Sequence, residues 1–175
     1  MDGKRVDFPE IAKVEKGMRC ETPSAFCYSS ARGMAKLAAI MANGGSLDGK
    51  QLMSKEGWDK MHSSPKLAPM NFGPRNNFTQ GGVNLYGQEH MNGQPRIPIT
   101  DWGKVSNFCE EECEMNRSGF YGFIGFGGSV LQWNPTLKIG FAYVPTDFFT
   151  MDWYNTKGGQ IQREVVAAVQ AMQGK

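Results

Sequence analysis

The sequence predicts an α+β domain, an antiparallel sheet flanked by helices, on three observations. Two segments, one near residue 30 and one at the end of the chain, repeat apolar residues at helical period. Between them, two runs rich in β-branched and aromatic residues are joined by an Asn-Pro turn. Glycine accounts for 22 of the 175 residues, against an average of about 7%, which calls for turns and close backbone approaches rather than a helical bundle.

The chain length suits one domain, at roughly 100–200 residues each, or one incomplete piece of a larger one, and residues 1–175 read as a single unit. A hydrophobic fraction of 40% and a charged fraction of 21% give it a core to bury and exclude a disordered chain. The 19 basic and 17 acidic residues nearly cancel, and the pI of 8.3 lies below the value of about 9 that marks nucleic-acid domains. No apolar run approaches membrane-spanning length, so the reading includes neither nucleic acid nor membrane as a partner. The charged start, Met1-Asp2-Gly3-Lys4-Arg5-Val6-Asp7, lacks the apolar stretch of a signal peptide, and the compartment stays unknown.

Residues 1–22 are polar and mixed, broken at Phe8-Pro9, and read as an irregular or helical lead-in. Ser29 or Ser30 then caps a helix by accepting from an exposed backbone N–H. Met34, Leu37, Ala38 and Met41 form its apolar stripe, and Asn43-Gly44-Gly45 ends it. Leu47-Asp48-Gly49-Lys50 reads as a tight turn. Ser54 caps a second, short helix with Glu56 in its first turn and Trp58 and Met61 on its apolar side; Pro65 and Pro69 close it.

Residues 66–118 read as a loop-rich excursion, with one candidate strand at Val83-Asn84-Leu85-Tyr86. Order returns at Gly119. Val130-Leu131-Gln132-Trp133, the turn Asn134-Pro135-Thr136-Leu137, and the run Lys138 to Val144 make strand, turn, strand. Ile161, Val165, Val166, Val169 and Met172 then stripe a terminal helix of about ten to fifteen residues that packs on the sheet.

Few residues announce chemistry. Cys109 and Cys113 bracket three glutamates, but neither His62 nor His90 completes a recognised zinc spacing, so the segment reads as a solvated acidic loop with two thiols and no metal is assigned. Sequons at Asn77-Phe78-Thr79 and Asn116-Arg117-Ser118 point weakly to a secreted parent. One Ser-x-x-Lys occurs, Ser63-Ser64-Pro65-Lys66. It has a proline inside the turn and falls at the end of a helix, where a catalytic pair would need a full helical turn beyond the serine. The run Gly119-Phe120-Tyr121-Gly122-Phe123-Ile124-Gly125-Phe126-Gly127-Gly128-Ser129 alternates glycine with aromatics, the pattern of a strand approached closely by another backbone or a ligand. No helix follows to make it a phosphate cradle.

Two segments together resemble one family. Pro23-Ser24-Ala25, then Ser30-Ala31-Arg32-Gly33-Met34-Ala35-Lys36-Leu37, Ala42-Asn43-Gly44-Gly45 and Leu47-Asp48-Gly49 are similar to a helix and turn of serine β-lactamase-like proteins: class C β-lactamases, related esterases and DD-peptidases. Gly122 to Ser129, Trp133-Asn134-Pro135 and Gly140 to Val144 resemble that family's C-terminal active-site strand and the hairpin after it. The likeness runs from about residue 18 to the terminal helix, with 66–118 matching poorly. It implies an incomplete β-lactamase/transpeptidase-like fold, the C-terminal part of a hydrolase domain.

The family's site combines Ser-x-x-Lys, Tyr-x-Asn or Ser-x-Asn, and Lys-Thr-Gly or His-x-Gly. The resemblance places the first two upstream of residue 1. The third falls on Phe123-Ile124-Gly125, where Phe123 stands in place of the cation and Gly125 is retained. Phe26 and Cys27 also replace the Asn-Gly common in relatives. A phenyl ring donates no hydrogen bond and stabilises no negative charge. The resemblance therefore implies a substrate-facing wall of Phe123, Ile124, Gly125, Gly127, Gly128 and Ser129, with no catalytic residue and no cofactor. Two alternatives stay open: a working serine hydrolase for esters, amides or peptides once joined to an N-terminal region, or a non-enzymatic binding or scaffold module. Exposed sheet edges in such a piece imply self-association or pairing with the missing region of the fold.

Overall fold

Ser30 opens helix α1 (Ala31–Ala42), its hydroxyl oxygen accepting from the Gly33 N–H at 3.2 Å. The computed structural model describes residues 29–68, 76–86, 117–125, 127–146 and 156–174. The lead-in 1–22, the Phe26–Cys27 loop, all four cysteines, Asn116 and Phe126 lie outside these residues. At its end α1 stops on Asn43, and Gly44 and Gly45 adopt positive φ of 68° and 86° to turn the chain. A two-strand ribbon follows, β1 (Ser46–Leu47) and β2 (Lys50–Gln51), turning through Asp48 and Gly49 at φ 49° and 77°. Two successive positive φ values match the twist of a hairpin, which is why Asp-Gly sits there.

Ser54 caps α2 (Lys55–His62), accepting from the Gly57 N–H at 3.1 Å. Six further strands form one antiparallel sheet in plain chain order: β3 (Lys66–Ala68), β4 (Asn76–Phe78), β5 (Asn84–Leu85), β6 (Tyr121–Ile124), β7 (Val130–Asn134) and β8 (Ile139–Tyr143). Residues 66–68 and 76–86, inside the stretch that reads as loop-rich, thus carry β3, β4 and β5, and β3 and β4 pair through Leu67 and Asn77. A segment as polar as Asn76-Asn77 carries little strand propensity; the ladder to its neighbours supplies it.

The pleat sends alternate residues to opposite faces. On one face Phe120, Val130, Ile139 and Phe141 join Tyr86 in a core covered by α3 (Thr156–Met172) through Val165, Val166 and Val169. On the other, Trp133 and Val83 pack with Ala38 and Ala42 of α1. The fold class is α+β, with three helices and antiparallel sheets among the described residues.

Both helical stripes differ in detail from the sequence reading. In α1 the fully buried residues are Ala38 and Ala42, while Leu37 is 53% exposed. The helix lies so close to β8 that only small residues fit the seam. In α3, which runs 17 residues, Ile161 and Met172 face solvent and Gln162 is buried in their stead. Gln162 Nε2 donates to Gln132 Oε1 of β7 at 2.8 Å, both side chains being fully buried. The pair leaves Gln132 Nε2 and Gln162 Oε1 without partners, so it adds little stability and acts instead on register: sliding α3 would orphan the whole amide pair.

Candidate functional site

The strand singled out by its glycines, β6, lies inside the sheet between β5 and β7. Gly122 holds φ of 127°, and a Cβ there would overlap the Leu131 carbonyl oxygen and come within 2.9 Å of Gln132 Cα. The close approach that the Gly-aromatic pattern predicts is therefore made by β7. Flanking Gly122, Tyr121 and Phe123 point to the face carrying α1 and α2, in register with Trp133 and Leu131 of β7. Phe123 is 47% exposed. Ile124 turns the other way and packs against the core under α3.

Gly125, Gly127, Gly128 and Ser129 lie where the hairpin passes from β6 to β7. The Gly125 N–H donates to the Ser129 carbonyl oxygen at 2.7 Å, and the Gly128 N–H to the Gly125 carbonyl oxygen at 3.0 Å. A side chain on Gly125 would collide with the Ser129 hydroxyl, and Gly128 sits at φ 98°. Of the six residues proposed for a substrate wall, Gly125, Gly127, Gly128 and Ser129 share this turn, Phe123 stands on the strand beside it, and Ile124 lies on the opposite face.

A second constellation surrounds His62, weighed from the sequence only as a metal ligand. The Trp133 indole Nε1–H donates to His62 Nε2 at 2.8 Å, and His62 Nδ1 lies 2.7 Å from the Trp58 carbonyl oxygen. An indole only donates, so Nε2 carries no proton, and Nδ1 carries the one given to Trp58. Trp58 stacks on the imidazole at 3.9 Å between centroids and Tyr121 meets it edge-on at 4.6 Å. The Trp58 indole N–H in turn donates to the Met41 carbonyl oxygen of α1 at 2.8 Å. Burial holds the His62 pKa below its ordinary value, outweighing the hydrogen bond to Trp58 and the Asp59 carboxylate, which raise it. Burial likewise raises the Tyr121 phenol, which stays protonated. Trp58 and His62 stand one helical turn apart, a spacing visible in the sequence; Trp133 is 71 positions away and carries no such signal.

At Ser63-Ser64-Pro65-Lys66 the helix ends at His62, Ser64 adopts φ of 52°, and Lys66 begins β3. The turn that would set an amine beside the hydroxyl is not formed. Instead the Ser63 hydroxyl lies 2.9 Å from the Lys60 carbonyl oxygen and 3.0 Å from Gln80 Oε1. The sequon at Asn77 is closed as well, since Asn77 is only 4% exposed within β4. Among the described residues no three acidic, histidine or cysteine side chains cluster to hold a metal, and no helix is long and apolar enough to cross a membrane.

The face of β6 thus offers an aromatic surface at Phe123, a glycine-rich turn beside it, and a neutral histidine with both nitrogens engaged. No family model, curated protein or solved structure matches the chain.

Proposed function

We propose that this chain is the C-terminal portion of a serine β-lactamase-like hydrolase domain and does no carbonyl chemistry by itself. One observation carries the reading. Phe123 projects from β6, half in solvent, at the position where the resemblance expects the cation of the third motif. Acyl transfer needs an activated nucleophile, a base and donors for the oxyanion. A phenyl ring supplies none of these, and the Ser63 hydroxyl is turned to Lys60 and Gln80. Two further features support the reading: α1 lies over β7 and β8, and the Asn134-Pro135 hairpin follows β6, in the order the resemblance implies. On this reading Phe123 with Gly125, Gly127, Gly128 and Ser129 forms a wall against which a substrate rests.

The test is a fluorophosphonate and a penicillin reagent, each incubated with the purified chain and read by intact mass. No stoichiometric adduct and no turnover of an activated ester are expected. An adduct at Ser63, lost on Ser63→Ala, would overturn the proposal in favour of a working hydrolase.

The proposal extends to self-association. β3 and β8 are the outer strands of the described sheet, and Val144, just past β8, is 40% exposed. Unpaired edges template pairing with another chain. Light scattering on a dilution series is expected to show mass rising with concentration; a monomer at every concentration would remove this part.

A further inference from the structure

We propose that His62 is a proton-operated latch: neutral, it fastens the C-terminal end of α2 to the sheet, and protonated, it lets that end come away from Trp133 while the rest of the fold holds. This goes beyond the hydrolase-family reading and stands without it.

The geometry allows one protonation state. Nε2 accepts from the Trp133 N–H and Nδ1 donates to the Trp58 carbonyl, so a second proton has to enter at Nε2. There it would meet the Trp133 N–H head-on, two donors at hydrogen-bond distance, in a site where His62 is 7% exposed. The imidazolium keeps its bond to Trp58, its own helix, and loses the one to β7. The bond that breaks is the one that joins elements.

The surroundings of the ring come from several elements. From β6 the Tyr121 phenol presents its edge and stays neutral. From β7 the indole of Trp133 offers only its N–H. Within α2 the Asp59 carboxylate favours the charged ring, and the stacked face of Trp58 does so as well. Toward α1 the contact runs through the Met41 carbonyl, taken by Trp58. Past the helix, Gln80 meets Ser63 with neutral groups: its N–H donates to the Ser63 carbonyl oxygen at 2.8 Å. Burial prevails over Asp59, so the folded pKa lies below the unfolded one. The latch's contribution to stability is then complete above the unfolded value and is lost as pH falls through the folded value.

The sequence holds two histidines, so a His90→Gln background leaves His62 as the sole imidazole. Long-range nitrogen–proton NMR correlations of that ring at pH 7.5 are expected to show the neutral Nδ1–H tautomer. On acidification it should titrate below the ordinary imidazole value of about 6.5. Over the same range, amide exchange at residues 60–63, 80 and 81 should quicken about tenfold while α3 keeps its protection, as a local opening requires. Trp133→Phe removes the opposing donor and should move the midpoint upward. An Nε2–H tautomer, a midpoint at or above the ordinary value, or loss of α3 protection in step with α2 would each overturn the proposal.

Discussion

Gly140→Val is expected to lose about 3 kcal/mol of stability or more, measured by urea denaturation. A Cβ at this position in β8 would lie 2.6 Å from Ala38 C and 2.6 Å from Ala39 Cα. These are backbone atoms of α1, unlike the tip of a side chain that swings aside. The helix must lift as a body, and in lifting it uncovers Ala38 and Ala42, both fully buried against Trp133. A domain of this size is stable by only about 5–15 kcal/mol, so the loss is a large share of the whole. Gly49→Ala is the matched control. That turn glycine has positive φ but nothing within 4 Å of a new Cβ, so only the backbone penalty of about 1 kcal/mol applies. Equal losses in the two variants would mean that α1 does not rest on β8 as closely as described.

Trp133→Ala is the second large effect. Truncating a buried tryptophan costs about 3–5 kcal/mol through lost burial and the cavity left behind. Trp133 is 6% exposed and sits where α1, α2 and the sheet meet. Its loss also strips His62 Nε2 of its donor, leaving a buried acceptor unsatisfied at a further cost of about 1–3 kcal/mol. Trp133→Phe separates the two effects. It keeps much of the volume and removes the N–H, so about 1–2 kcal/mol should be lost, mostly at the hydrogen bond. A phenylalanine variant as damaged as the alanine one would shift the weight from packing to that bond.

The contrast between these positions shows what could be read in advance. Ser30, Ser54 and the Asp48-Gly49 turn act through neighbours a few residues away, so their roles are visible in the chain itself. The β7–β8 hairpin belongs to the same class. Asn134 Oδ1 accepts from the N–H groups of Thr136 and Leu137 at 2.9 Å each, a turn closed by its own first residue. The site is only partly of this kind. The glycine pattern around Gly122 and Gly125 marks a close approach, yet whether a ligand or β7 makes that approach lies outside the local sequence. His62 enters the sequence reading only as a histidine without a zinc set, because Trp133, which accounts for its Nε2, lies 71 positions away.

The starts and stops of α1 and α2 and the turns at Asp48-Gly49 and Asn134-Pro135 are legible in the chain, because caps and hairpin turns are local and cost the same in any fold. Which residues of the α1 and α3 stripes are buried follows from the surfaces they pack on. An apolar stripe is wider than the seam it packs into, and a close seam prefers Ala38 to Leu37 and admits Gln162 only because Gln132 awaits it. The tertiary structure also decided that polar Asn76-Asn77-Phe78 is a strand and that His62 is neutral. In each case the deciding free energy comes from a partner distant in sequence, through burial and a hydrogen bond that no neighbouring residue can foretell.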